Sequence, residues 1–410
     1  MGHGKEAQLN LMKNSVDSVS TAHVFPLRWA DRSRIVTDWT CPRKRFWQYE
    51  FGGRGIVPAV TSLELWLGTT LHDGLARIAD SSPARIADAT PAVVDIDAIA
   101  SAAQQQVYTS LAQVPVGEIP DADTLTFAAE QAALVEGLLR GFYRHVWPRL
   151  LREGWRIVAV EEESIYTISM TLKFMSRPDL ILADPDDNWY YVEYKSTSSK
   201  KSQWVDSWTT AVQLHSSVKA VEETLKHEVA GVIVQGLYKG YESYGRQNSP
   251  FCYAYVAPGN PPFTTEKVRY DYAAGFKRQP TWERPGGVAR WVAEMPEELL
   301  SEQFPQVPPI FVKEELVQAF FRQVEEREHV ISEAVQAMGN PSEGDPRSAD
   351  EIMDEVFPQR FDQCQPAWGR GCEYKRLCHG KVAHPLEAGY TWRVPHHVPE
   401  AEALQKEAGQ

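Results

Sequence analysis

One stretch constrains the fold more than any other: residues 176–197, S-R-P-D-L-I-L-A-D-P-D-D-N-W-Y-Y-V-E-Y-K-S-T. It reads as a β-hairpin. Residues 177–183 form one strand, with Leu180, Ile181 and Leu182 as a continuous apolar run. Asp184-Pro185-Asp186-Asp187-Asn188 is a turn, because Pro presets its own φ while Asp and Asn bond back to nearby backbone. Residues 189–195 form the second strand, rich in the aromatic and β-branched types that suit a pleated surface. Side chains alternate along a strand, so Tyr191, Glu193 and Lys195 share one face, and Val192 and Tyr194 point the other way, towards the core. Asp179, on the neighbouring strand, reaches the same place as Glu193 and Lys195.

Two carboxylates and an ammonium at one end of a strand pair have a specific use. Carboxylate oxygens hold a hard cation such as magnesium. The cation polarises a phosphate and lowers the pKa of a bound water. The Lys stabilises negative charge on the phosphate or orients the attacking water. The competing reading is a surface hairpin with an ordinary Glu–Lys pair.

Pro178-Asp179 followed by Glu193-Tyr194-Lys195 resembles the signature of the PD-(D/E)XK nuclease superfamily, in particular its RecB-like branch. The resemblance implies an α/β fold: a restriction-endonuclease-like core with a mixed central sheet flanked by helices, helical elaborations and a C-terminal cysteine-rich segment. It implies Mg²⁺ or Mn²⁺ held by Asp179, Glu193 and the backbone carbonyl of Tyr194, with Lys195 as the catalytic lysine. DNA is the implied substrate, as single strands or ends, with a helicase or recombination protein as partner and a prokaryotic or phage origin.

The remaining motifs fall in the order this family has them. Gly68-Thr-Thr-Leu-His72 lies in a helix opened by a Thr61–Glu64 capping box, with Leu67, Leu71, Leu75 and Ile78 at helical spacing. On its own, His72 reads as a structural residue of an amphipathic helix. The family's Gly-x-x-x-His motif makes it a further metal ligand. Glu161, Glu162 and Glu163 end a strand starting at Gly154, where the family often has a Glu. Alternation puts Glu161 and Glu163 on one face and Glu162 on the other, which leaves the choice open. Gln213, on a helix over 205–226, matches the first residue of the family's substrate-positioning Gln-x-x-x-Tyr, although Ser217 replaces the Tyr. Residues 96–111 and 124–152 read as helices, 229–237 and 251–257 as strands, and 314–338 as an amphipathic helix.

The chain has five cysteines. Cys364, Cys372 and Cys378 lie within fifteen residues in a Gly/Pro-rich loop, and Cys41 precedes Pro42 far upstream. Cys252 falls in a predicted strand and reads as a buried thiol. Four cysteines suit either a [4Fe–4S] cluster or Zn²⁺, and composition does not choose. One distant Cys plus three clustered ones resembles the iron–sulfur RecB-like nucleases of the AddB type and of the CRISPR-adaptation exonucleases. That resemblance implies a [4Fe–4S] cluster on Cys41, Cys364, Cys372 and Cys378. The spacing departs from theirs, with seven residues between Cys364 and Cys372. Such a centre ties the start of the fold to its end, closing a very long loop.

Composition bounds the rest. The 410 residues carry a net charge of −13, so nucleic-acid binding needs a local basic groove, not an overall positive field. Arg43, Lys44, Lys200 and Lys201 are its candidates, although Arg43-Lys44-Arg45 taken alone reads as a solvated face. No apolar stretch is long enough to span a membrane, and the N-terminus lacks a signal-peptide apolar segment, so a cytoplasmic protein is expected. Residues 1–24 read as a tail, 25–380 as a single nuclease domain (core 154–260, cluster segment 361–380 joined to Cys41), and 381–410 as a second tail. The leading function is a metal-dependent DNA nuclease, an exonuclease on single strands or ends. The alternative is a non-catalytic subunit of a recombination or phage complex that keeps the nuclease fold; a zinc-stapled protein with other chemistry is the third reading.

Overall fold

The computed structural model describes residues 27–59, 63–84, 93–111, 122–197, 204–205, 207–208, 212–239, 287–293, 303–339, 347–365, 371–382 and 384–408. The predicted strand at 251–257, Cys252, Lys200, Lys201, Thr61 and the segment 1–24 lie outside them.

The described chain opens on β1 (Arg28–Asp31) and α1 (Arg32–Thr40). Asp31 caps α1, its side chain accepting from the Arg34 N–H at 2.8 Å, which satisfies one of the orphan donors of a helix start. Then come α2 (Pro42–Arg45), with Pro in its first turn, a π-turn over Phe46–Glu50, and β2 (Ile56–Pro58). The helices α3 (Leu63–Asp80), α4 (Ile96–Leu111), α5 (Ala122–Gly141) and α6 (Trp147–Arg152) follow. Five strands come next: β3 (Arg156–Val160), β4 (Ser164–Ser169), β5 (Leu172–Ser176), β6 (Leu180–Ala183) and β7 (Trp189–Thr197). After them run α7 (Val212–Leu225), β8 (Val229–Tyr238), α8 (Gly287–Ala293), α9 (Glu314–Gly339) and α10 (Ala349–Val356). The chain ends on α11 (Phe361–Cys364), α12 (Lys375–Cys378), β9 (Tyr390–Trp392) and α13 (Val398–Ala408).

The central sheet has the order β3-β6-β7-β8. β6 and β7 are the predicted hairpin, antiparallel with Leu180 opposite Val192 and Ala183 opposite Trp189. β8 joins β7 in parallel, so the sheet is mixed and the fold is α/β. The turn is built as its residues dictate: Asp184 Oδ1 accepts from the Asp186 and Asn188 N–H groups, both at 2.9 Å, and Asp187 sits at φ +66°. Alternation then divides the strands between two cores. Leu180, Leu182, Val192 and Tyr194 pack with α3, α4 and α5, whereas Ile181 and Tyr191 pack with Leu214, Val218 and Val221 of α7. A sheet covered on both faces needs apolar residues on both, which is why these strands read as near-continuous apolar runs.

The strand expected over 177–183 is shorter in the structure. β5 ends at Ser176 and belongs to a second sheet, β1-β5-β4, whereas β6 begins at Leu180 in the central one. Arg177-Pro178-Asp179 is the step between them. Pro178 has no N–H to donate to a ladder, so pairing breaks there, and Asp179 is delivered at the very start of β6.

The basic run at 43–45 is not a solvated face. Arg43 is buried, donating to the Phe357 carbonyl at 2.7 Å and pairing with Asp354 at 2.7 Å. Lys44 pairs with Glu373 at 2.8 Å. Arg45 is wholly buried between Glu50 and Glu328, at 2.8 and 2.9 Å. These cations fasten the N-terminal segment to α9, α10 and the loop before α12, and are spent on protein partners instead of a groove. Past Gly380, where the sequence suggests a tail, β9 pairs antiparallel with β2, and Glu400 of α13 is buried against Arg34 and Arg393. No helix among the described residues is long and apolar enough to cross a membrane.

This ionic core carries a pH signature. Burial opposes the Glu50 charge, but Arg45 and Arg28 outweigh it and push its pKa down from 4.5 to about 2. A depressed carboxylate contributes stability above its unfolded pKa and loses it as the pH falls through the folded one. Urea melts at stepped pH are therefore expected to lose about 3 kcal/mol between pH 4.5 and 2 from this group. Glu50→Gln should be less stable at neutral pH and show a shallower acid slope; an unchanged slope would remove Glu50 from this role.

Candidate active site

The end of β3 and the start of β6 meet the middle of β7 in the central sheet. Val160, at the end of β3, pairs with Leu180, at the start of β6, which pairs with Val192 of β7. The next residue outward on each strand is therefore Glu161, Asp179 and Glu193. Glu161 holds this position through backbone as well, its N–H donating to the Asp179 carbonyl at 3.3 Å. His72 arrives from α3, beside the buried stripe of Leu67, Leu71, Leu75 and Ile78. Gly68, one turn earlier, borders open space, so the helix surface next to His72 is accessible.

The geometry is tightly connected. Asp179 Oδ1 lies 2.7 Å from His72 Nδ1, and Asp179 Oδ2 accepts the Tyr194 backbone N–H at 2.6 Å. His72, Glu161 and Asp179 bring one ligand atom each within 4.8 Å of one another. Glu193 is 3% exposed. Its Oε2 accepts from the Tyr191 hydroxyl at 2.7 Å, and its Oε1 pairs with both Arg32, at 2.6 Å, and Lys195.

Burial opposes ionisation of Glu193, yet Lys195 and Arg32 overcome it and hold the carboxyl well below its usual range. Burial and the Glu193 charge raise the Tyr191 phenol, which stays a proton donor. Glu161 is different: burial raises its pKa, and Arg177 at 3.4 Å only partly offsets this. Burial disfavours imidazolium at His72, but Asp179 outweighs it and the His72 pKa is raised.

The structure thus brings together Asp179, Glu193, Lys195, His72 and the Tyr194 backbone. Gln213 lies in α7, its side chain outside the described residues. Among the three acids left open by alternation, Glu161 joins His72 and Asp179. Glu163 turns instead to His397, at 2.8 Å. Alternation fails here because Glu161 adopts φ +47°, which breaks the strand period. Arg32 went unnoticed in the sequence. Its only signal is its place directly after a capping Asp, and that speaks of helix start, not of a site.

The donor set suits a hard or intermediate divalent cation. Two carboxylates match Mg²⁺ and Mn²⁺, and an imidazole adds tolerance for Mn²⁺. The cysteines lie apart from this donor set. Cys41, Cys364, Cys372 and Cys378 are free thiols. Cys41 and Cys372 lie close enough to act on the Cys378 charge, and the Cys372 N–H donates to the Cys364 carbonyl at 3.1 Å. Burial pushes the Cys378 thiol up to about 12 and raises Cys372, against nearby Arg43 and Lys44 respectively. Among the described residues no three of these sulfurs lie within 4.8 Å of one another, and Cys364 Sγ accepts from Gln359 Nε2 at 3.1 Å, so the four thiols are not drawn into a metal cage in this structure.

A search of curated proteins returns no match. The family model described as the PD-(D/E)XK nuclease superfamily matches residues 33–379, a span from the helix before Cys41 to just past Cys378 that includes every site residue above except Arg32. With this match over most of its length, and with the motif residues gathered at one sheet edge, the chain belongs to the PD-(D/E)XK nuclease superfamily.

Proposed function

We propose that this protein is a Mg²⁺- or Mn²⁺-dependent DNA nuclease, acting as an exonuclease on single strands or ends. The observation that carries the reading is the convergence of His72, Glu161 and Asp179 within 4.8 Å, next to a Glu193 paired with Lys195. Asp179, Glu161, His72 and Glu193 would hold the cation, with the Tyr194 carbonyl as a further ligand. Bound there, a divalent cation supplies Lewis-acid polarisation of the phosphate and a water of lowered pKa. The protein's own groups do the rest. The Tyr194 N–H and His72 fix both oxygens of Asp179, so its orientation costs nothing at the moment of reaction. Tyr191 fixes Glu193 in the same way. Lys195 keeps an ammonium at the sheet edge, where it meets negative charge developing on the phosphate.

The test compares labelled linear single strands, linear duplexes and single-stranded circles, each with Mg²⁺ or Mn²⁺. Linear single strands should shorten from an end while circles survive. Cut circles would replace the exonuclease assignment with an endonuclease. No cleavage of any substrate with any divalent metal would favour the non-catalytic subunit.

The four cysteines are assigned a [4Fe–4S] cluster in the same reading, with the soft sulfur type and the nearness of Cys41 and Cys372 to Cys378 as support. Anaerobically purified protein should be brown and bleach with dithionite, and Cys364→Ala should lose both iron and solubility. Colourless protein carrying stoichiometric zinc would replace iron–sulfur with a zinc staple.

A further inference from the structure

Arg32 has no task in the chemistry above. It stands at the first position of α1, straight after the Asp31 cap. The neighbouring arginines are structural: Arg34 donates to the Trp29 carbonyl and pairs with Glu400, and Arg45 pairs with Glu50 and Glu328. Their side chains are 8% and 0% exposed. That of Arg32 is 31% exposed, and the acidic groups acting on its charge are Glu193, Tyr191 and Asp179, all at the site. Among the described residues it donates to Glu193 alone. A guanidinium has five N–H donors in a planar fork, so most of this one is uncommitted among the described residues.

Glu193 carries more positive charge than it needs. Arg32 and Lys195 share its Oε1, while Tyr191 holds Oε2. A divalent cation that draws on Glu193 adds two charges within a few ångströms and repels both groups. Lys195 is fixed two residues along the same strand face, whereas Arg32 comes from another element; their side chains are 25% and 31% exposed.

We propose that Arg32 is a phosphate-binding residue of this site, held on Glu193 in the free protein and released by the metal to clamp a nucleic-acid phosphate. The proposal rests on the metal-dependent nuclease reading. Guanidinium geometry suits it, since the planar fork binds two phosphate oxygens at once, which an ammonium cannot do. It also makes metal and nucleic acid cooperative: each favours the state in which Arg32 has left Glu193, so each must tighten the other.

The test reads two affinities, neither of which needs turnover. Mn²⁺ binding is followed by electron paramagnetic resonance. Binding of a fluorescent oligothymidylate is followed by anisotropy, with Ca²⁺ replacing Mn²⁺ to hold cleavage off. Arg32→Ala should bind Mn²⁺ about tenfold tighter, because a charge-assisted competitor for Glu193 is gone. The same variant should bind the oligonucleotide about tenfold more weakly. Arg32→Lys should bind Mn²⁺ like wild type and recover only part of the oligonucleotide affinity. Should Arg32→Ala not fold, Arg32→Gln is read in its place with the same expectations. Weaker Mn²⁺ binding, as a merely structural arginine would give, or unchanged oligonucleotide affinity overturns the proposal. Failure of wild type to cut DNA would sink the nuclease reading by itself, whereas these two shifts still decide what Arg32 does.

Discussion

Asp179→Asn is expected to lose metal-dependent cleavage by about a thousandfold or more, since the charge that anchors the cation goes with it. The substitution is chosen for its shape. An Asn carbonyl can still accept the Tyr194 N–H that Asp179 accepts at 2.6 Å, so that buried donor keeps its partner and the fold should survive. What changes is the charge beside His72. Burial already opposes imidazolium there, and Asp179 is the group that raises the pKa against it. Without that carboxylate the His72 pKa should fall, which a ring-proton NMR titration reads without any substrate. An Asp179→Asn protein that cuts at the wild-type rate would place the chemistry elsewhere.

The second large effect is on stability. Arg45→Ala should cost about 3–5 kcal/mol, because it leaves buried acids without their principal cation. Arg45 is wholly buried, and Glu50 and Glu328 have side chains only 9% and 4% exposed. Arg28 remains against both, at 3.4 and 3.1 Å, but cannot neutralise two carboxylates. Replacing Arg45 and Glu328 together by Met and Leu should cost less than the single change, because Glu50 and Arg28 keep each other and no buried charge loses its last partner. Urea denaturation of the two variants decides the matter, and a double variant less stable than Arg45→Ala would contradict the argument.

The parts of this molecule legible in the sequence are those with a local period or a local turn code. The D-P-D-D-N turn, the facing of Tyr191, Glu193 and Lys195, and the helix at Ile96–Leu111 depend on neighbours in the chain, and the structure has them where the pattern puts them. The rest depends on distant partners. Arg43 and Arg45 look like solvated cations until Asp354 and Glu328, some three hundred residues on, are folded against them. The choice of Glu161 over Glu162 and Glu163 turns on one left-handed residue, which no alternation argument can foresee in a non-glycine. Arg32 reaches Glu193 only because β1 joins the second sheet and α1 then starts beside the end of the first. Nothing within ten residues of Arg32 encodes that encounter.

The claim at the centre of this account is that the edge of the central sheet hydrolyses phosphodiester bonds with a divalent cation and Lys195. Its most direct test is single-turnover cleavage of end-labelled single-stranded DNA under Mn²⁺, by wild type and Lys195→Ala side by side, with Mn²⁺ affinity measured on the same samples. Wild type should cut, and Lys195→Ala should be slower by about a hundredfold or more, yet bind Mn²⁺ at least as well, since an ammonium is not a ligand. Equal cleavage by the two proteins, or none by wild type with Mn²⁺ demonstrably bound, would contradict it.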